Sequence, residues 1–234
     1  MIACRQQEEA AMTAGFRIAR RTRAISQPLI AQFRNVPVAN VSDVMSRISG
    51  GPNLRPMHGG GVLAGPALTV KTRPGDNLMI HKAIDMAEPG DIIVVDAEGD
   101  LTNALIGELM LAHATYRKVG GFVINGAIRD LAAIRAQHLP VFAAGVTHRG
   151  PFKVGPGEIN YPIAIGGMVV AAGDLMLGDD DGVLCVPYED AEPVLAAAQA
   201  KHAAEEKQMA ETLAGTVDRS YVDASLIRLG CKMP

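Results

Sequence analysis

The residues with the clearest chemical potential lie in GGFVINGAIRD, residues 120–130. The apolar run reads as a buried strand that enters a glycine turn and delivers Arg129 and Asp130 to the start of a helix. Ligands of α/β sheets collect beyond the carboxyl ends of strands, beside helix N-termini whose free N–H groups favour anions. Arg129 can hold a carboxylate or keto oxygen in a planar fork, and Asp130 can give one oxygen to a hard divalent cation. The same two residues can equally be a surface charge and a helix N-cap.

Three further acidic segments invite the same question. Glu108, in GELM at 107–110, sits among Leu105, Ile106, Leu109 and Met110. A carboxylate buried there needs a metal or water as partner, whereas one on the exposed stripe of a helix needs none, and both readings stay open. Asp179, Asp180 and Asp181, in LGDDDGVLCVP at 177–187, resemble a metal cluster in composition only. Asp-Gly between two apolar β runs is a hairpin signal, and adjacent residues on extended chain point in opposite directions, so a turn is expected. Glu205 and Glu206 read as the solvated face of a long helix.

Other chemistries lack their signatures. The chain carries no GxSxG elbow, Walker loop, HExxH or CxxC, and GGGVLAG at 59–65 precedes a strand where a dinucleotide loop would follow one. A nucleotide cofactor is not indicated. Histidines 58, 81, 113, 138, 148 and 202 form no i, i+4 pair, so none reads as a metal ligand from spacing.

The elements that must position these groups follow from periodicity. Residues 6–35 read as mostly helix kinked at Pro28, with Arg17, Arg20, Arg21 and Arg23 on a solvated face. A short helix at 44–48 is expected after Ser42 and Asp43 as caps. Strands are expected at 62–72, 91–96, 121–125 and 141–144, alternating with helices at 77–87, 102–118 and 129–137. Such alternation predicts crossover connections in an α/β domain. Beyond Gly145 short strands and turns form a β-rich layer, closed by a helix from Tyr188 to Leu213 and a short helix or tail.

Length and composition bound the rest. A chain of 234 residues, 48% hydrophobic and 20% charged, can build one compact core. A net charge of -3, no Trp, four Tyr and five Phe argue against nucleic-acid binding. Three scattered cysteines suggest a reducing compartment, and no apolar run reaches the roughly 20 residues of a membrane span. A soluble, cytoplasmic protein is expected.

VSDVM at 41–45, RPGDN at 73–77, GDIIVVD at 90–96, GELMLAHA at 107–114, GFVINGAIRD at 121–130 and GDDDGVLCVP at 178–187 together resemble one family. It contains the class II pyruvate aldolases of 4-hydroxy-4-methyl-2-oxoglutarate and 4-carboxy-4-hydroxy-2-oxoadipate, and the RraA-type inhibitors of RNase E. The likeness runs from about Val36 to Ile227, leaving residues 1–35 as an N-terminal helical extension to a single domain over 36–234. It implies a swivelling β/β/α architecture, a trimeric or hexameric assembly with active sites between subunits, and Mg2+ or Mn2+ as cofactor. It further implies substrate binding by Arg129, direct metal ligation by Asp130, and an acidic Glu108 that reaches the metal through water. The backbone of Gly107, Leu109 and Met110 would receive the pyruvate carboxylate, and Glu205 or Glu206 of a neighbouring subunit would complete the site through water. Inhibitor-type members typically lack the aspartate after the arginine; its presence here favours metal-dependent retro-aldol cleavage, with oxaloacetate decarboxylation as a side activity. The rival expectation is a non-catalytic regulator of RNase E. His148, Arg149, Lys153 and Arg73 are candidates for a substrate's second carboxylate, and nothing in the sequence places them.

Overall fold

A computed structural model of the chain describes residues 15–51 and 54–233. The chain opens with β1 (Phe16–Ile18), α1 (Gln27–Phe33), α2 (Val38–Val44) and β2 (Arg55–Pro56). An alternating half follows: β3 (Leu63–Thr72), α3 (Leu78–Met86), β4 (Ile92–Asp96), β5 (Ala104–Ile106), α4 (Glu108–Tyr116), β6 (Gly121–Ile128), α5 (Leu131–Arg135) and β7 (Val141–Val146). The last third holds β8 (Gly157–Ile159), β9 (Ile163–Ile165), β10 (Met168–Val170), β11 (Leu175–Asp179), β12 (Gly182–Val186), α6 (Ala191–Leu213) and α7 (Ser220–Arg228).

The mixed α/β sheet runs β1-β8-β3-β4-β6-β7-β2, with β11 joined to β3 and β12, and β5 joined to β6. Its centre is parallel: β3 pairs with β4, β4 with β6, β6 with β7, and β5 with β6, all in the same direction. The sequence of β4, IIVVD, explains why the centre must be covered on both faces, since all five residues are buried. Alternate side chains feed two cores. Ile93 and Val95 meet Ile80 and Ile84 of α3 and Leu111 of α4, while Ile92 and Val94 meet Phe142, Ile165, Met176 and Cys185. A third core packs α1, α2 and the start of α6 over β11 and β12 through Phe33, Val41, Leu195, Leu177 and Leu184. The β3, β5, β6 and β7 carboxyl ends therefore lie at one edge of the sheet, where the site forms.

Several expected elements take a different form. The helix expected over 6–35 is replaced, from residue 15 onward, by β1, an extended segment and the short α1; residues 6–14 lie outside the described residues. Its arginines are not a solvated helix face. Arg17 pairs with Glu158 at 2.6 Å, Arg21 with Asp91 at 2.6 Å and Glu88 at 2.8 Å, and Arg23 with Asp174 and Glu189. These ion pairs strap extended chain to the sheet, and β1 adds to β8 in parallel. The helix expected at 44–48 lies at 38–44 instead, with Ser42 and Asp43 inside it. The apolar pair Val38 and Val41, one turn apart and both buried, sets its place, and the chain then turns through Ser46 and Arg47 at positive φ. The helix expected over 102–118 divides into β5 and α4, because Ala104, Leu105 and Ile106 are buried beside β6. The helix expected over 129–137 shortens to α5, and β6 and β7 extend to Ile128 and Val146.

The aspartates at 179–181 form the hairpin turn between β11 and β12, with Asp179 opposite Gly182. Asp179 accepts hydrogen bonds from the backbone N–H of Asp181 and of Val38, both at 3.0 Å. Among the described residues no helix is long and apolar enough to cross a membrane.

Candidate active site

Parallel pairing of β5 with β6 is the local event that builds the site. Ile106 stands opposite Ile128, and the Arg129 N–H donates to the Ile106 carbonyl at 3.0 Å, so both strands stop together. Gly107 then leads into α4 beside Arg129 and Asp130. Asp130 stands at the N-cap position of α5, yet its side chain makes no cap hydrogen bond there. Its Oδ2 instead accepts the Glu108 N–H at 3.0 Å, at the start of α4. This orientation requires a left-handed backbone at Asp130, φ 56° and ψ 39°, which an aspartate adopts at some cost in strain.

Gly107 is needed for space. A Cβ there would collide with Asp130 Oδ2 and lie 3.0 Å from Arg129 Cγ. Arg129 and Asp130 are both partly exposed, with Arg129 Nε 3.6 Å from Asp130 Oδ2. The Leu111 N–H donates to Gly107, but no protein acceptor is found among the described residues for the N–H groups of Leu109 and Met110. They are the free amides of a helix N-terminus and carry its positive dipole end.

Of these residues Gly107, Leu109, Met110 and Arg129 border a cavity of about 320 Å³, which Asn77, His81, Leu105 and Lys153 also line. Asn77 follows β3, Gly107 follows β5, Arg129 follows β6 and Lys153 follows β7, so four parallel strands contribute from their carboxyl ends. Asn77 is buried; its Nδ2 donates to the Leu105 carbonyl at 2.9 Å, and its Oδ1 has no partner. Burial, reinforced by the charge of Lys153, lowers the pKa of His81 below its ordinary value.

The structure thus brings together Gly107, Glu108, Leu109, Met110, Arg129 and Asp130. Glu108 is exposed at the first position of α4, which decides between its two sequence readings: it is neither buried nor in need of a protein partner. Glu205 and Glu206 do not join this group within one subunit. Glu205 accepts from Asn40 Nδ2 at 2.5 Å and pairs with Lys201 at 2.7 Å, and Glu206 faces His202 at 3.7 Å. Lys201 also pairs with Asp43 at 3.0 Å, and its hydrogen bonds hold both carboxyls below the ordinary carboxylate range. Of the candidates for a second carboxylate, only Lys153 lines the cavity; Arg73 lies 3.6 Å from Asp76. Asn77 and His81 escaped sequence reasoning. Asn77 sits where a helix cap is expected, and His81 is one polar residue on an otherwise ordinary amphipathic helix.

Comparison with known proteins gives the chain's family and its fold relatives. Residues 38–185, more than half the chain, match the RraA-like family model, described as Aldolase/RraA. A protein of Halalkalibacterium halodurans, provisionally named a 4-hydroxy-4-methyl-2-oxoglutarate aldolase, is 41% identical over 178 residues, 76% of this chain and 85% of that one. Streptomyces coelicolor RraAS2, described as an unusual member of the RNase ES inhibitor RraA family, superposes with a TM-score of 0.72 and 25% identity, covering 78% of this chain and 96% of that one. An uncharacterized protein from Pseudomonas syringae pv. tomato shares the fold, with a TM-score of 0.75 at 24% identity over 83% of this chain and 96% of that one. The chain belongs to the RraA-like family.

Proposed function

We propose that this protein is a cytoplasmic lyase that cleaves a 4-hydroxy-2-oxo acid, of the 4-hydroxy-4-methyl-2-oxoglutarate or 4-carboxy-4-hydroxy-2-oxoadipate type, to pyruvate with the help of Mg2+ or Mn2+. The observation that carries this reading is that Arg129, Leu109 and Met110 line one cavity at the start of α4, with the Asp130 carboxylate beside them on the Glu108 N–H. The 41% identical relative supports the same substrate class.

Asp130 fits a hard cation. Its Oδ2 accepts one backbone N–H, and no protein donor to Oδ1 is found among the described residues. No group of three or more His, Cys, Asp or Glu that could enclose a metal occurs among those residues. A site with one direct carboxylate and open positions suits Mg2+ or Mn2+, which keep waters and accept substrate oxygens. A cation bound there supplies an electron sink for the substrate's keto group.

The chain's own groups do the rest. The Leu109 and Met110 N–H groups receive the 2-oxo acid's carboxylate at the helix N-terminus. Arg129 donates to the keto oxygen and stabilises the negative charge that grows on it as the C3–C4 bond breaks. The carboxylates of Asp130 and Glu108 hold the water that takes the C4 hydroxyl proton, with Glu205 or Glu206 of a neighbouring subunit completing the acidic rim. The resulting enolate gains a proton at C3 and leaves as pyruvate. Oxaloacetate reaches the same enolate by losing CO2, so its decarboxylation accompanies the aldolase reaction. No lysine is required as a Schiff base.

The likeness to RraAS2 favours the second reading, a regulator that binds RNase E without catalysis. A protein-binding surface has no use for a strained Asp130 aimed at a helix start, which weighs against it. Pyruvate release from oxaloacetate and 4-hydroxy-4-methyl-2-oxoglutarate, coupled to lactate dehydrogenase, tests the proposal. Turnover that chelator removes and added Mg2+ or Mn2+ restores supports it. No turnover of either substrate, with capture on an RNase E scaffold, would replace it by the regulator.

A further inference from the structure

The segment before α1 takes no part in the chemistry proposed above, yet it is fitted closely to the domain. Residues 19, 21 and 23 are half-buried and 25 is buried, while 20, 22 and 24 are exposed. A period of two is that of extended chain lying along a surface. The inward arginines meet buried acids, Arg21 at Asp91 and Arg23 at Asp174, and a buried carboxylate needs such a partner. Gly173 gives room for the crossing, since a Cβ there would collide with the Arg23 carbonyl.

The amino-terminal end of this segment reaches the edge of the sheet that carries the site. β1 runs parallel to β8, and β8 antiparallel to β3. Phe16 therefore stands opposite Gly157, which stands opposite Thr72 at the carboxyl end of β3. Loop 150–156, whose Gly150, Pro151 and Lys153 line the cavity, enters β8 at this point. The Phe16 ring lies against it: a Cβ on Gly155 would be 3.4 Å from the ring and 3.7 Å from Leu78 at the start of α3. Arg17 fastens this end through Glu158 at 2.6 Å, with its guanidinium 3.9 Å from the centre of the Tyr161 ring. Ala19 N–H donates to the Ile159 carbonyl at 3.0 Å, and Asn160 Nδ2 donates to the Ala19 carbonyl at 2.9 Å.

On its outer side the loop is poorly covered, with Phe152 and Val154 both more than half exposed. Its inner attachment is to Asp76, which accepts the N–H groups of Val154 at 2.7 Å and Gly155 at 3.0 Å. Phe16 thus packs on a residue that makes one of these two hydrogen bonds. We propose that residues 15–25 are a strap that holds loop 150–156 against the 73–78 turn, with Phe16 as the positioning residue for that wall of the cavity. Seating of the strap governs how tightly the cavity holds its ligand and leaves the chemical step to Arg129 and Asp130. That consequence rests on the proposed function; the contact between strap and loop does not.

Amide hydrogen exchange of the full chain, read by mass spectrometry over peptides covering 150–156 and 92–96, tests the proposal. In Phe16→Ala exchange over 150–156 is expected to rise roughly 3- to 10-fold, the scale of losing a half-buried aromatic side chain. The buried centre of the sheet at 92–96 keeps its wild-type rate. Phe16→Leu, which retains an apolar contact, stays near wild type, and Arg17→Gln, which loosens the same end, resembles Phe16→Ala. Unchanged exchange over 150–156 in Phe16→Ala, or an equal rise over 92–96, overturns the proposal. Pyruvate release from oxaloacetate is the second readout: in Phe16→Ala KM rises by a similar factor with kcat within about twofold of wild type. A fall in kcat at unchanged KM contradicts positioning. Absence of release by the wild type defeats the proposed function, and exchange then decides the strap by itself.

Discussion

Asp130 meets two demands at once, and its backbone records the conflict. Its carboxylate must reach the Glu108 N–H at the start of α4, and its main chain must open α5, so it sits at φ 56°. Asparagine tolerates that conformation and can accept the same hydrogen bond, but it lacks the charge a divalent cation needs. Asp130→Asn should therefore keep a melting temperature within about 3 °C of wild type and lose at least about 100-fold in kcat/KM for pyruvate release. Full activity in metal-replenished buffer would remove Asp130 from the site. Arg129→Lys should also lose activity, since an ammonium cannot reproduce the planar fork. His81 yields a prediction about pH. Burial first, and then the charge of Lys153, lower its pKa, against the opposing pull of Asp85; His113 adds to the lowering. Below about pH 6.5 the unfolded chain binds a proton at this histidine that the folded one resists, so wild-type stability falls with acid. In His81→Gln that part of the fall disappears, and denaturant melts at pH 7.5 and 5.5 should lie closer together than in wild type.

At the scale of elements, the site depends on where strands end. The strong β runs β4 and the start of β6 and β7 are legible in sequence because each is a continuous apolar stretch bounded by glycine or charge, and β3 because apolar residues predominate between the glycines at 59–61 and Arg73. The division of 102–118 into β5 and α4 is not legible, since Ala104, Leu105 and Ile106 suit a helix as well as a strand. Pairing with β6 decides it, and that contact joins residues distant in sequence. The same limit hides the N-terminal strap, whose arginines look solvated until Asp91, Glu88, Glu158 and Asp174 are brought to them. Arg129 and Asp130 were legible as a strand-end pair, and their roles were implied by resemblance. Asn77 and His81 were not, because only the cavity identifies them. Asp76 is the element-scale anchor, joining the 73–77 turn to the 150–155 loop. Asp76→Ala leaves three N–H groups, that of Gly155 buried and those of Leu78 and Val154 part-buried, without their acceptor and should cost about 3 kcal/mol in urea unfolding. A loss under about 1 kcal/mol would show that the loop does not depend on it.

At the scale of the whole molecule, one subunit exposes much apolar surface at its C-terminal end. No residue of α7 is buried, and Tyr221, Ile227 and Leu229 are all more than half exposed. The distal part of α6 is similarly bare at Met209 and Leu213. A monomer rarely leaves such a surface uncovered, and we propose that it is covered by further copies of the chain in a trimer or hexamer. Light scattering after gel filtration should give a mass three or six times that of the chain. If the site is shared, unfolding and refolding Asp130→Asn together with Glu205→Gln should recover activity that neither variant has alone, because some mixed sites then contain both native carboxylates. No recovery from a confirmed mixed oligomer would place Glu205 outside the site.

The central claim is that Arg129, Asp130 and the start of α4 stabilise the enolate of pyruvate. Exchange of pyruvate methyl protons for deuterium, followed by proton NMR in the presence of the protein, reads that step without any aldol substrate. The account predicts exchange that requires Mg2+ or Mn2+, stops with chelator and is lost in Asp130→Asn. Exchange no faster than in buffer with metal present, or equal exchange by the Asp130→Asn variant, would contradict it.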